Sequence, residues 1–226
     1  SNIFALQLQG AEVMVCGPKT LIPKYIDKLG VKVETNLRKA LEWCDIANML
    51  RVQNERMEIS YFPTTREYTQ QYGVTKELLE SLDKEIGLDL IVVGPKSHDI
   101  NDKLFLGKIS GKITKKTSIP VLLVPIGAVF TPPKQALFAF KKGSINGERS
   151  LAPLKEIIKA FSTKVNLLLV KTPGHEAARL DIDHEIVEFS EGLISSENAT
   201  VYQGVLEHFQ SVQPDMLVVF ARKRGF

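Results

Sequence analysis

Leu88-Asp-Leu-Ile-Val-Val-Gly94 is the stretch of sequence that decides the fold class. The residues between Asp89 and Gly94 are all apolar, and such an unbroken run is typical of a strand buried on both faces of a parallel sheet. The pattern returns in Pro214-Asp-Met-Leu-Val-Val-Phe220, where an Asp again precedes an apolar strand. A pattern repeated at this distance indicates two domains of one type.

Strand and helix patterns alternate on the N-terminal side of the first copy and just after it. The further strands are predicted at 12–16, 31–34, 46–52 and 120–124. The helices are predicted from Thr20 to Gly30, at 37–44, at 65–84 with a break near Gly73, and at 104–116. This alternation predicts an α/β fold with a doubly wound, parallel, five-stranded, Rossmann-like sheet over 1–126.

A linker at 127–133, which contains Pro132-Pro133, separates this region from a second series of elements. Strands are predicted at 136–140, 165–170, 199–202 and 215–220, and helices at 151–161, 182–193 and 205–212. The series stops at a fourth strand. We therefore expect 134–226 to be a second α/β domain of the same type, incomplete at its C-terminal end.

Composition and charge exclude several classes of function. Hydrophobic residues make up 44% and charged residues 24%, and the net charge of +3 is too small to argue for a nucleic-acid partner. Neither a membrane span nor a signal peptide is apparent. Cys16 and Cys44 lie in apolar segments without metal-ligand spacing, and the four histidines are scattered. Buried free thiols in a reducing cytoplasm, and no metal, are expected.

Asn48-Met-Leu-Arg-Val-Gln-Asn-Glu-Arg56 resembles the aspartate-binding domain of aspartate carbamoyltransferases, and the similarity extends over about 1–86. Glu12-Val-Met-Val-Cys-Gly-Pro18 and Arg66-Glu-Tyr68 also fit it. The resemblance implies that Arg51 and Gln53 hold the substrate aspartate. An Arg at the carboxyl end of a parallel strand can bind a carboxylate through two hydrogen bonds. The alternative is that Arg51 pairs with Glu55 and binds nothing.

The other half of that enzyme family is missing from the sequence. No Ser-Thr-Arg-Thr phosphate loop of a carbamoyl-phosphate domain is present, and no His-Pro-Gly-Pro or His-Pro-Leu-Pro segment follows 65–84. Without a phosphate site nothing positions the second substrate or stabilises its leaving group. We therefore expect no carbamoyl transfer, and a chain that is not an enzyme.

From about residue 87 to 226 the sequence resembles tandem universal stress proteins. The Asp89–Gly94 run and Ile119-Pro-Val-Leu-Leu-Val-Pro125 carry the resemblance. In nucleotide-binding members the fourth strand is followed by Gly-x-x-Gly, nine residues, then Gly and Ser or Thr. The matching positions are Gly94, Ser97, Gly107 and Lys108, so one glycine is replaced and a cation stands for the hydroxyl. The resemblance implies a weak ATP site at most, with no required cofactor. The second copy lacks the glycine pattern.

Three functional hypotheses follow from this junction of two families near 85–87. The first is a non-catalytic stress-protein-like module that binds a nucleotide weakly or not at all. It would form a homodimer or an intramolecular pseudo-dimer through 120–124, without nucleic acid or membrane. The second is a transferase fragment that binds aspartate or another dicarboxylate without turnover. The third is a fold-engineering chimera with no biological activity. The same sequence at the junction would result from natural recombination, from engineering or from a sequence-assembly error.

Overall fold

The computed structural model describes residues 2–50, 65–94, 113–114, 117–125, 127–140, 150–173, 182 and 184–220. The chain divides into two compact units, Ser1–Gly87 and Leu88–Phe226. The boundary between the units therefore falls at Gly87. The domain limits expected at 126 and 134 stay predictions.

Within its described residues the first unit contains one pair of parallel strands with helices before and after it. In chain order its elements are α1 (Asn2–Leu8), β1 (Met14–Cys16), a 3-10 helix (Ile26–Leu29), β2 (Lys32–Glu34), α2 (Leu37–Trp43), α3 (Thr65–Tyr72) and α4 (Lys76–Glu85). Strands β1 and β2 pair with Met14 opposite Lys32 and Cys16 opposite Glu34. The carboxyl ends of the two strands therefore meet at one edge.

Side-chain caps fix where the helices of this unit begin. The Asn36 side-chain oxygen accepts a hydrogen bond from the Lys39 amide at 3.1 Å, and Thr75 Oγ1 accepts one from the Leu78 amide at 3.3 Å. Such caps satisfy amides that have no partner within the helix. The predicted break near Gly73 is confirmed, since α3 ends at Tyr72 and α4 begins at Lys76.

Two predicted elements of the first unit are wrong in the residues that the structure describes. The helix expected from Thr20 is reduced to the 3-10 turn at Ile26–Leu29. Pro23 is the cause we assign, because proline lacks an amide proton and disfavours the helical conformation of the residue before it. Gly30 does end the turn, in the left-handed region at φ 73°.

The strand expected at 46–52 is absent over its described part, 46–50. The side chains of Ile46 and Leu50 are 88% and 76% exposed, so the apolar pattern of this segment is not used for burial. Strand propensity expresses packing against neighbours, and no described strand pairs with this segment. The last two residues of the predicted strand lie outside the described part of the chain.

The second unit contains a two-stranded and a four-stranded parallel sheet. Its elements are β3 (Ile91–Val93), β4 (Val121–Leu123), β5 (Gln135–Phe140), α5 (Ala152–Phe161), β6 (Lys164–Lys171), α6 (His184–Glu188), β7 (Gly192–Glu197), α7 (Val201–Val212) and β8 (Met216–Val219). Strand β3 pairs with β4, and the larger sheet has the order β7-β6-β5-β8. The α/β class with parallel strands is confirmed, but the largest sheet formed by described residues has four strands rather than five and lies in the second unit.

The core of the second unit lies on both faces of the four-stranded sheet. One cluster joins alternate residues of β5 and β6 to residues of α5 and α6: Ala136, Phe138, Phe140, Leu151, Leu154, Val165, Leu167, Leu169 and Ile186. The other face buries Leu137, Ala139, Leu168 and Val170 beneath Val201 and Val205 of α7. This alternation explains why β5 and β6 read as continuous apolar runs.

The positions of the helices and the strand between 182 and 202 differ from the prediction. The helix expected at 182–193 ends at Glu188, and the third strand lies at Gly192–Glu197, not at 199–202. Residues 201 and 202 instead begin α7, because Thr200 Oγ1 accepts a hydrogen bond from the Gln203 amide at 3.1 Å and caps that helix. The helix expected at 104–116 lies outside the described residues except for 113–114, which are helical.

Asp215 joins β8 to the beginning of β5. Its Oδ2 accepts hydrogen bonds from the amides of Lys134 and Gln135 at 2.8 and 2.9 Å, and its own amide donates to the Gln135 carbonyl at 2.9 Å. These two amide donors lower the pKa of the Asp215 carboxyl group. The aspartate of the repeated pattern therefore fixes the register of the fourth strand against the first.

We expect Asp215→Asn to lower the thermal unfolding midpoint at pH 7. Because the folded-state pKa of Asp215 is lowered, its carboxylate stabilises the fold above the pKa of the unfolded chain, and this contribution is lost as the pH falls through the folded-state value. The difference between variant and parent should therefore shrink below about pH 4. Asp89→Asn, in the other copy of the pattern, is the matched control and should change nothing. Equal midpoints for Asp215→Asn and the parent at pH 7 would contradict the argument.

Candidate functional site

Gly94 stands at the carboxyl end of β3, where parallel sheets bind ligands. A Cβ atom built on it would lie 3.7 Å from the Val124 carbonyl oxygen, which is an ordinary contact, and its backbone is not in the left-handed region. Neither the conformation of the chain nor its packing therefore requires glycine here. A glycine does leave room for a ligand phosphate to approach the backbone closely.

Three of the four residues predicted for the nucleotide site cannot be placed. Ser97, Gly107 and Lys108 lie outside the described residues, and so do Arg51 and Gln53 of the predicted aspartate site. The structure thus places Gly94 alone among the residues predicted from the sequence.

The carboxyl edge of the β1–β2 pair carries a cluster that the sequence reasoning missed. Glu34, the last residue of β2, accepts hydrogen bonds at Oε1 from the amides of Thr35 and Asn36 at 2.7 and 2.8 Å. These two donors hold the pKa of Glu34 below its ordinary value. The Gly17 amide donates to the Glu34 carbonyl at 3.3 Å, so the ends of the two strands are tied together.

Two tyrosines of α3 belong to the same edge. The Tyr72 hydroxyl donates a hydrogen bond to the Thr35 carbonyl at 2.7 Å, and the Tyr68 and Tyr72 rings stack with centroids 5.5 Å apart. Burial, followed by the nearby Cys16 thiol, raises the pKa of both phenols. The i, i+4 spacing of the tyrosines on a predicted helix was the available signal that they share a face.

Cys16 does not supply this cluster with a nucleophile. Burial, and then the charge of Glu34, raises the pKa of its thiol, so the thiol stays protonated at neutral pH. Both cysteines are free and half-buried rather than fully buried. The cluster therefore anchors α3 to the strand ends, through the Tyr72 hydroxyl and the Glu34 carboxylate, both of which are hydrogen-bonded to the backbone.

Two features are absent among the described residues: a metal-binding cluster and a membrane-spanning helix. No group of three His, Cys, Asp or Glu side chains placed to hold a metal ion occurs among them. No described helix has the length and apolar character needed to cross a membrane.

Comparison with known proteins gives two separate similarities. Residues 37–125 match the universal stress protein family. An 86-residue stretch, 38% of the chain, is 78% identical to the aspartate carbamoyltransferase catalytic subunits of Flavobacterium johnsoniae and Flavobacterium psychrophilum. A stretch of 95 residues, 42% of the chain, is 50% identical to the catalytic subunit of Carboxydothermus hydrogenoformans. No solved structure matches the chain.

These similarities are partial and revise two expectations. The chain spans only 28–30% of the length of these three relatives. The expectation that the chain is not an enzyme is contradicted, because the relatives it matches at high identity are named as catalytic subunits of an enzyme. The stress-protein match also begins at residue 37 rather than near 87, so it runs across the junction between the two units.

Proposed function

We propose a function from the premise that this chain joins a segment similar to aspartate carbamoyltransferase catalytic subunits to a segment of the universal stress protein family. The proposed function is weak binding of a nucleotide, ATP in the first instance, by the stress-protein segment. The phosphates would lie at the carboxyl end of β3. The observation that carries the proposal is Gly94, a glycine at the end of a parallel strand that the fold itself does not require.

The residues that follow Gly94 in the sequence support a site of low affinity. Gly107 keeps the spacing of the family pattern, but Ser97 replaces a second glycine. Lys108 stands in place of the hydroxyl residue and would attract a phosphate as a point charge. Backbone amides of a glycine loop and one cation together form a phosphate site, although a less complete one than the family pattern supplies.

The test is calorimetric titration of the chain with Mg-ATP. We expect Lys108→Ala to weaken binding by about tenfold, because a charged partner is lost, and Ser97→Gly to strengthen it. Gly94→Ala should weaken binding while leaving the unfolding midpoint unchanged, since its methyl group makes only an ordinary contact within the protein. Lys159→Ala, on the exposed side of α5, is the matched control for charge. Absence of saturable binding at millimolar ATP would refute the proposal.

Self-association through β4 is part of this proposal. Strand β4 pairs on one side with β3, and no other described strand lies on its second side. The unpaired backbone groups of such an edge can pair with another strand, either in a second copy or elsewhere in this chain. Sedimentation velocity at several concentrations would separate a homodimer from an intramolecular pair, which stays monomeric.

A second function, binding of aspartate or another dicarboxylate at Arg51 and Gln53, is supported by the high identity to the catalytic subunits. An arginine can hold a carboxylate with two parallel hydrogen bonds, and a glutamine amide adds a further donor. The activity and substrates of the whole relatives come to this chain only through this proposal, because the chain spans less than a third of them.

We expect a titration with aspartate or succinate to show saturable binding that Arg51→Ala abolishes and Gln53→Ala weakens. The loss at Arg51 should exceed tenfold, because an ionic hydrogen-bonded pair is removed. Arg66→Ala, which removes an exposed arginine from α3, controls for the change in net charge. A titration without heat for both dicarboxylates would exclude this second function and leave the nucleotide proposal unaffected.

A further inference from the structure

We draw no further inference here: the strongest candidate, the side-chain cluster at the start of the 3-10 helix of the first unit, where the ammonium groups of Lys24 and Lys28 lie 5.1 and 4.7 Å from the centroid of the Tyr25 ring, carries no proposal because nothing in the structure shows which ligand or segment covers it.

Discussion

Replacement of Phe138 by alanine should lower the free energy of unfolding of the second unit by about 3–5 kcal/mol. Phe138 lies in the middle of β5 and is completely buried. Its ring contacts those of Phe140 and Phe220, with centroids 5.8 and 5.3 Å away. Truncation removes the transfer free energy of the ring and leaves a cavity between the sheet and its covering helices, which a packed interior fills only in part.

Denaturant unfolding followed by circular dichroism measures this change. Phe130→Ala is the matched control, since that ring is 74% exposed and, among the described residues, has one aromatic contact, with Phe161. Phe130→Ala should lower the free energy of unfolding by less than about 1.5 kcal/mol, the upper value for the interaction of an aromatic pair. If the two variants lost equal stability, β5 would not form the centre of the core.

Replacement of Gly204 by valine is expected to cost about 2–3 kcal/mol, from overpacking. Gly204 lies in the first half of α7, where that helix crosses β6. A Cβ atom at this position would lie 2.7 Å from Val170 Cγ1 and 3.1 Å from the side-chain nitrogen of Asn198. Since Val170 is itself fully buried, the helix must move away from the sheet or the valine must leave its rotamer.

The same substitution at an exposed position of α7 isolates the steric effect. Gln210→Val introduces the same β-branched side chain into the same helix on its solvent side, where we expect a change within about 0.5 kcal/mol. Gly204→Ala should fall between the two, because its gain in helix propensity partly offsets a smaller clash. A Gly204→Val variant as stable as Gln210→Val would show that α7 does not pack against β6 at this distance.

The buried strands β5 and β6 and the short strands β1 to β4 and β8 could be predicted from the sequence, whereas the exposed strand β7 could not. Strands β5 and β6 are apolar on both faces because helices cover both faces, so their residues leave no ambiguity. The third strand of that sheet, Gly192–Glu197, is largely exposed and contains Ser195 and Ser196, so it lacks the apolar signal. The sequence pattern instead predicts a strand at 199–202. Thr200 in that segment is the N-cap of α7, and a cap residue at this position is the signal for a helix.

Only part of the candidate site could be predicted from the sequence. A glycine after an apolar strand could be recognised, although that strand, β3, is only partly buried and not buried on both faces as expected. Gly94 follows β3 directly, and its role in a nucleotide site stays a prediction. The cluster of Cys16, Glu34, Tyr68 and Tyr72 could not be recognised, because its members come from three separate segments that only the fold brings together. The prediction of a strand at 46–52 is wrong over its described part. Apolar residues are buried in a strand only if a neighbouring strand is available, and no described strand lies beside Leu50.

The pairing of β5 between β6 and β8 determines the order in which this unit can be completed during synthesis. Strand β6 follows β5 closely, but the residue that ties β8 to β5, Asp215, comes 81 positions after Lys134. The ribosome therefore extends the chain through β7 and α7 while the edge of β5 that will pair with β8 has no neighbour. Contacts between segments so distant in sequence form slowly, and an unpaired apolar strand is where nascent chains associate wrongly. The sheet is thus open to wrong association during biosynthesis at the edge of β5, an interior strand of the finished sheet, until β8 has been made.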